Sequence, residues 1–351
     1  MARYKVVRMP GDGVGVDVME AAVLVLERIG LDAEYLDAEI GWTCWERDGN
    51  ALPEKTVGLL EEADCGLFGA ITSKPGVPGY RSPIVGMRQR FNLYVNLRPC
   101  KAFPGNPLNY RDDVDLVVFR ENTEGLYSGV EFHPAPEAIL ALDGMERFRG
   151  EDTAVSLRVF TRKACHNILK AAFEYAREHG RRRVTAVHKA NVVRQTCGMF
   201  LEEAEKLAAD YPEIDFDSAN VDAMAMWLIK DPQDYDVLVT SNLFGDIISD
   251  EAAQLVGGLG FASSGNIGND LAVFEPTHGS APKYAGQYRV NPTAMLLASR
   301  LMLEYLGEED ASRALENGIG RVIREGRVRT KDMGGNASTL EMARAVADAL
   351  G

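Results

Sequence analysis

The sequence predicts an α/β fold. Short apolar runs alternate along it with longer amphipathic stretches whose apolar residues recur every three or four positions. The runs that read as strands are Lys5–Met9, Gly66–Ile71, Leu116–Phe119, Val184–Val187 and Val237–Thr240. The first helix is read from Val16, Met19, Val23, Leu26 and Ile29. A second is read from Ile168, Leu169, Phe173 and Ala176, and a third runs from Met199 to Ala209. Residues 72–83, rich in Gly, Pro and Ser, predict a loop. Residues 125–160 hold Pro134, Pro136 and the alternating Ala154–Phe160, and predict a β excursion from the main body. From Pro292 onward the pattern is helical. No internal repeat or low-complexity tract interrupts this plan.

With 351 residues and 46% hydrophobic content, the chain can bury one large core or two medium ones. Its net charge of -14 argues against nucleic acid or an anionic membrane as the main partner. An anionic substrate would therefore need arginines gathered locally. The five cysteines form no close pair, which predicts neither a disulfide framework nor a zinc site. Without an apolar stretch for a signal peptide or membrane span, the expected location is the cytoplasm.

Five groups of residues are candidates for chemistry. Asp246 and Asp250, four residues apart, share one face if they lie on a helix that starts near Asn242 and Gly245, with Ile247 and Ile248 toward the core. Hard carboxylate ligands in small number suit Mg²⁺ or Mn²⁺, although two solvated aspartates are the plainer reading. Arg88, Arg98 and Arg120 suit a di- or tricarboxylate, because guanidinium forks bind carboxylates bidentately. As a simple ion pair, Arg120 has Glu121 or Glu124 close by in sequence.

Gly11-Asp12-Gly13-Val14-Gly15 follows a strand and opens a helix, as a phosphate loop does. It lacks the G-x-G-x-x-G spacing, with Val16 where the last glycine belongs, so it reads as a tight turn. The segment from Glu275 to Tyr284, followed by Asn291, is polar and kinked, and suits either an adenosine or a plain surface loop. Tyr127 and Lys189 are acid–base candidates if arginines or a metal lower their pKa, and are otherwise structural.

Together these segments resemble the β-decarboxylating dehydrogenases, the family of isocitrate, homoisocitrate, 3-isopropylmalate and tartrate dehydrogenases. The resemblance runs nearly end to end. Its most specific stretch is Asn242-Leu243-Phe244-Gly245-Asp246-Ile247-Ile248-Ser249-Asp250, followed by Val256-Gly257-Gly258-Leu259-Gly260 and Gly265-Asn266-Ile267-Gly268. It implies a non-Rossmann α/β fold of the isocitrate/isopropylmalate dehydrogenase type. A large cofactor-binding domain is expected at 1–93 and 257–351, a small domain at 94–124 and 162–256, and a clasp between two subunits at 125–161. The resemblance implies that Arg88, Arg98 and Arg120 bind substrate carboxylates. It also implies that Asp246 and Asp250 hold the metal with Asp222 of a neighbouring subunit. Lys189 would likewise reach across a homodimer, and Tyr127 would sit beside the substrate. His278, Gly279 and Asn291 would contact adenosine, with Glu275 close by and Ile71 and Thr72 near the nicotinamide.

The implied reaction is metal-dependent oxidation and decarboxylation of a 3-substituted malate. Ser82 stands where isocitrate dehydrogenases use a serine against the distal carboxylate, but Ile84 replaces their usual asparagine. The Ser82-Pro83-Ile84-Val85 form is similar to some homoisocitrate dehydrogenases. Val118–Glu124 and Ala281–Gln287 resemble isocitrate dehydrogenases. Isocitrate is the first expectation and homoisocitrate the alternative. Isopropylmalate is disfavoured because its site wants an apolar wall. Lys283 and Tyr284 resemble the NADP-using pattern, with Arg344 as a further positive charge, although Leu340 replaces a tyrosine expected near it. NADP is therefore expected before NAD. A catalytically silent subunit of a hetero-oligomer is the alternative of another class, and the presence of Tyr127, Lys189, Asp222, Asp246 and Asp250 argues against it.

Overall fold

The computed structural model describes residues 2–74 and 76–351. Twelve strands are described: β1 (Tyr4–Gly11), β2 (Ala33–Asp37), β3 (Cys65–Ala70), β4 (Val95–Lys101), β5 (Asp115–Glu121) and β6 (Glu131–Phe132), then β7 (Val155–Ser156), β8 (Arg183–His188), β9 (Asp215–Asn220), β10 (Val237–Thr240), β11 (Ser263–Ile267) and β12 (Ala272–Pro276). Ten of them form one sheet in the order β2-β1-β3-β12-β11-β4-β5-β10-β8-β9. Its two flanks are parallel, as strand–helix alternation predicts. The centre, β12-β11-β4-β5, is antiparallel. The two flanks therefore run in opposite directions.

Alternation along the strands separates the two faces. On one face Val6, Leu67, Leu97, Phe119, Val237 and Val239 join a continuous apolar core. That core is closed by helices including Val14–Ile29, Thr293–Tyr305, Glu309–Glu325 and Arg162–Glu178. The other face carries two separate cores. Val7, Met9, Phe68 and Val273 belong to one. Leu116, Val118 and Leu238 belong to the other, with Ile248 and Ala252 of helix Asn242–Leu255. Between these two cores lie the buried polar side chains of Asn96, Arg98, Asn266 and, just after β5, Asn122, bonded to one another, and that of Arg120.

Some local expectations are corrected. Helix Pro83–Arg90 takes in Pro83, which the sequence assigned to the loop, because Pro at the first helical position needs no N–H partner. In the 125–160 excursion β6 and β7 pair as a two-stranded sheet and Gly125 bridges Val159, so most of Ala154–Phe160 is not strand. Ile247, expected toward the core, is 57% exposed, and only Ile248 is buried. No described helix is long and apolar enough to cross a membrane. All five cysteines are buried and unpaired.

Candidate active site

Arg120 is the innermost charge of the site, 1% exposed near the end of β5. Its Nε and one terminal nitrogen donate to Asn242 Oδ1 at 3.0 and 2.7 Å. Its other terminal nitrogen donates to Asp246 Oδ1. Asn242 opens helix Asn242–Leu255, and Asp246 lies one turn further along. Gly245 makes this approach possible, since a Cβ there would lie 2.6 Å from Arg120 Cγ. The Asn-Leu-Phe-Gly-Asp run is thus a cradle for Arg120. The local partners expected for Arg120 are engaged elsewhere. Glu121 accepts from the backbone of Thr123 and Glu124, and Glu124 accepts from Thr161.

Arg98, on β4, donates to Asn96 Oδ1 and Ser249 Oγ, both at 2.6 Å, and to Asp250 Oδ1 at 3.2 Å. It also lies 3.5 Å from Asp246 Oδ1 and so spans the two aspartates. Arg88, on helix Pro83–Arg90, donates its Nε to Asn266 Oδ1 at 2.8 Å and lies 3.4 Å from Glu275 Oε1. The Tyr127 hydroxyl donates to Asp246 Oδ2 at 2.6 Å, with the Arg120 guanidinium 5.0 Å from its ring centroid. Three buried arginines, two aspartates and a tyrosine therefore form one connected cluster, an arrangement typical of a functional site.

Charge in this cluster is not balanced by burial alone. Burial opposes ionisation of Asp246, but Arg120, the Tyr127 hydroxyl, Arg98 and Arg88 outweigh it and hold the carboxyl below its ordinary pKa. For Asp250 the balance reverses. Burial raises its pKa, Arg98 offsets only part of the rise, and Asp246 adds to it. Burial, the Asp246 hydrogen bond and the Asp246 charge also push the Tyr127 hydroxyl up. Burial pulls Arg88 and Arg120 down, and for Arg120 the neighbouring Arg98 and Arg88 add to the fall.

Lys189 and Asp222 are not brought into this cluster within one chain. Lys189 Nζ donates to Asp222 Oδ1 at 2.5 Å, and among the described residues no three metal-type side chains converge.

Next to the cluster opens a cleft of about 520 Å³. Arg88, Arg98, Ile84, Ile71, Thr72, Glu275, His278 and Gly279 line it, so it joins two of the arginines to most of the expected cofactor residues. Ser82 is not in that lining. It precedes helix Pro83–Arg90, half-buried, and its side chain makes no capping bond. A second cavity of about 540 Å³ shares His278 and Gly279 with the cleft and continues past Tyr284 and Asn291. Asp17 holds its rim by accepting from Gly286 N and Tyr288 N, both at 3.1 Å.

Arg344 and Lys283 do not line that cavity. Arg344 lies exposed on helix Thr339–Asp348, and Lys283 folds over the Tyr284 ring. Arg289 and Lys331 line it instead, and sequence reading had singled out neither. They come from separate segments with no shared pattern, and only the fold brings them together.

The Gly11–Gly15 turn leaves no space for a phosphate. A Cβ at Gly13 would lie 2.1 Å from Ser280 O, and the Asp12 carboxylate accepts from the backbone of Trp42 and Thr72. The turn packs the first helix against the segment that separates the two cavities.

The isocitrate/isopropylmalate dehydrogenase family model matches residues 5–346. The 3-isopropylmalate dehydrogenase of Methanothermobacter thermautotrophicus is 45% identical over 347 residues, 99% of this chain and 98% of its own. The isocitrate/homoisocitrate dehydrogenase of Thermus thermophilus is 44% identical over 350 residues, with 99% and 98% covered. The crystal structure of isocitrate dehydrogenase from Methylococcus capsulatus superposes with a TM-score of 0.91 at 42% identity, covering 99% of both chains. The chain belongs to the isocitrate/isopropylmalate dehydrogenase family, and is a decarboxylating hydroxy acid dehydrogenase of the kind that uses a divalent metal and NAD(P)⁺.

Proposed function

We propose that this enzyme oxidises and decarboxylates a 3-substituted malate, with isocitrate as its first substrate. The observation that carries the reading is the convergence of Arg98 and Arg120 on Asp246 beside Tyr127, with Asp250 against Arg98 and Arg88 tied in through Asn266 and Asn96. Three guanidinium groups suit a polyanionic acid. Asp250 fits a divalent cation: its carboxylate is open to solvent beside Arg98 and is held above its ordinary pKa, so added positive charge stabilises its ionised form. Asp246 and Asp250 would hold Mg²⁺ or Mn²⁺, with Asp222 of a second copy.

A divalent cation held by Asp246 and Asp250 would supply Lewis-acid polarisation, and a dinucleotide in the cleft beside Glu275, His278 and Gly279 would supply the hydride acceptor. Arg88, Arg98 and Arg120 orient the carboxylates. Lys189, reaching over from the second copy, receives the hydroxyl proton. Tyr127 stays protonated at neutral pH, because its pKa is raised, and it delivers a proton to the carbon that loses CO₂.

The homodimer has support in an exposed apolar set, Val192, Met226, Ile229 and Ile247, on and beside the elements that carry Lys189, Asp222 and Asp246. The two separate cores on the cleft face support large and small domains with the boundaries given above, and the separate two-stranded β6–β7 sheet supports the clasp at 125–161. NADP is favoured over NAD because Arg289 and Lys331 line the second cavity and neither is paired with a carboxylate among the described residues. The unpaired cysteines support a cytoplasmic location.

A second substrate reading has its own observation. Ile84 and Ile71 face the cleft beside Arg88, which supplies the apolar wall that an alkyl-substituted malate wants. The relatives named as 3-isopropylmalate dehydrogenases agree with it. The test is kcat/KM for isocitrate, homoisocitrate, 3-isopropylmalate and tartrate, each with NAD⁺ and NADP⁺. If isopropylmalate exceeds isocitrate more than about tenfold, ~1.4 kcal/mol of transition-state discrimination, the isocitrate reading is overturned. Turnover with none of the four overturns both substrate readings.

A further inference from the structure

The buried polar row between the two cores has a centre, and it is Asn266. This residue lies on β11 with no solvent exposure, directly opposite Asn96 of β4 and Val273 of β12. Its Oδ1 accepts from Arg88 Nε at 2.8 Å, Asn96 Nδ2 at 2.9 Å and Asn122 Nδ2 at 3.0 Å. Its Nδ2 donates to Glu275 Oε1 at 2.7 Å and to Val273 O at 3.3 Å. Both ends of the carboxamide are thus fully used, and the two ends cannot be exchanged without setting donors against donors. Asn96 extends the linkage, because its Oδ1 accepts from Arg98 Nε at 2.6 Å.

We infer that Asn266 is a positioning residue that holds Arg88, and through Asn96 also Arg98, in a fixed relation to Glu275. The inference rests on the reading above, in which the arginines bind substrate carboxylates and Glu275 lies close to the dinucleotide, in the cleft lined by Ile71, Thr72, His278 and Gly279. Its content is a mechanical one. The oxygen end sets the substrate side of the cleft, and the nitrogen end sets the cofactor side. One rigid amide therefore fixes the distance between the groups that place the hydroxyl-bearing carbon and the groups that place its hydride acceptor. Hydride transfer is steeply sensitive to such placement, since errors of about 1 Å cost on the order of 100-fold in rate. A leucine of similar size would fill the same space in the sheet and provide none of this. The choice of an amide with five partners in a buried position needs that second explanation.

The test separates the two ends. Asn266→Asp keeps the acceptor that faces Arg88, Asn96 and Asn122, and replaces the donor that faces Glu275 with a carboxylate oxygen. The double variant Asn266→Asp/Glu275→Gln restores a donor–acceptor pair with its polarity reversed and the net charge unchanged. Wild type is measured first, with the four hydroxy acids named above. Turnover there secures the underlying reading, and its complete absence overturns that reading and this inference with it. Given turnover, Asn266→Asp is expected to lower kcat at least tenfold and to raise KM for the dinucleotide, with KM for the hydroxy acid within threefold of wild type. The double variant is expected to recover kcat to within about threefold. If Asn266→Asp is folded and has wild-type kcat and cofactor KM, Asn266 is only a core residue and the inference is wrong. If the single variant does not fold, the double variant decides: folded but with no recovery of kcat, it overturns the inference equally.

Discussion

The hydroxyl of Tyr127 donates to Asp246 Oδ2 while Arg120 donates to Asp246 Oδ1, so one carboxylate holds the site's acid and its deepest cation together. The two contacts act in opposite directions on proton affinity. The carboxylate keeps the phenol protonated, and the phenol and guanidinium keep the carboxylate ionised.

Tyr127→Phe removes the proton donor and leaves the arginines in place. The expected outcome is a kcat lower by about 10²–10⁴, the usual contribution of a positioned acid, with KM for the hydroxy acid nearly unchanged. Steady-state kinetics with the preferred acid measures both. A variant with wild-type kcat would remove Tyr127 from the mechanism.

Asp246→Asn keeps the shape of the ligand and discards its charge. One of its atoms can still accept from Arg120, so the fold should persist with a loss of about 1.5–3 kcal/mol, the difference between a charged and a lost hydrogen bond. Turnover should fall by at least about 10², because charge stabilisation at the reacting oxygen goes with the metal. Thermal unfolding and activity with saturating Mn²⁺ check the two halves. Full activity would move the metal site elsewhere.

The parts of this arrangement that sequence reading found are those with an apolar or helical signature. β1, β3, β5, β8 and β10 are apolar runs, and Asp246 and Asp250 share a helix face as their spacing predicts. Of the sheet strands it did not find, β2 and β9 are the two edges, and β4, β11 and β12 are the ones that make the sheet mixed and carry Asn96, Arg98, Asn266 and Glu275. Ser263–Ile267 shows no apolar run, because Ser, Gly and Asn dominate it. Its strand conformation is imposed by neighbours on both sides rather than by propensity. Site polarity thus hides site structure: the side chains needed for a buried ionic network are those that erase the strand pattern. The partners of Arg120 show the same limit, since Asn242 is 122 positions away from it in sequence.

His179 makes a stability prediction independent of the active site. It ends helix Arg162–Glu178, stacks 3.8 Å from the Tyr175 ring and pairs with Glu304 at 2.7 Å. The Glu304 hydrogen bond raises the His179 pKa. A raised folded-state pKa stabilises fully below the unfolded value of about 6.5, and the stabilisation is lost as pH climbs through the folded value. Glu304 is lowered, since His179 and Arg300 outweigh its burial, so its share is lost as pH falls through that lowered value. Urea midpoints should therefore decline from about pH 6.5 upward by more in wild type than in His179→Gln. Parallel declines would show that the pair is not coupled to folding.

Ile84→Asn tests which acid the cleft is shaped for. Ile84 lines the cleft next to Arg88. Exchanging its apolar surface for an amide should favour a substrate with a distal carboxylate and penalise an alkyl group. Discrimination by one such contact is about 1–3 kcal/mol, so the ratio of kcat/KM for isocitrate over 3-isopropylmalate should rise on the order of tenfold or more. An unchanged ratio would place the C3 substituent away from Ile84.

Lys331→Ala and Arg289→Ala test the cofactor. Both cations line the second cavity, where Asn291 donates to Asp332 at 3.1 Å and fixes the wall. Neither cation forms an ion pair among the described residues, although Asp332 lines the same cavity. A 2′-phosphate gives them one, and a ribose hydroxyl does not. Each substitution should raise KM for NADP⁺ about tenfold, ~1.4 kcal/mol per lost contact, and leave KM for NAD⁺ within twofold. Raising the salt concentration should weaken NADP⁺ and not NAD⁺ in wild type, because the contacts are exposed and screened. Equal changes for the two dinucleotides would mean that Arg289 and Lys331 meet the diphosphate or nothing at all. The preference for NADP would then have no support from the cavity.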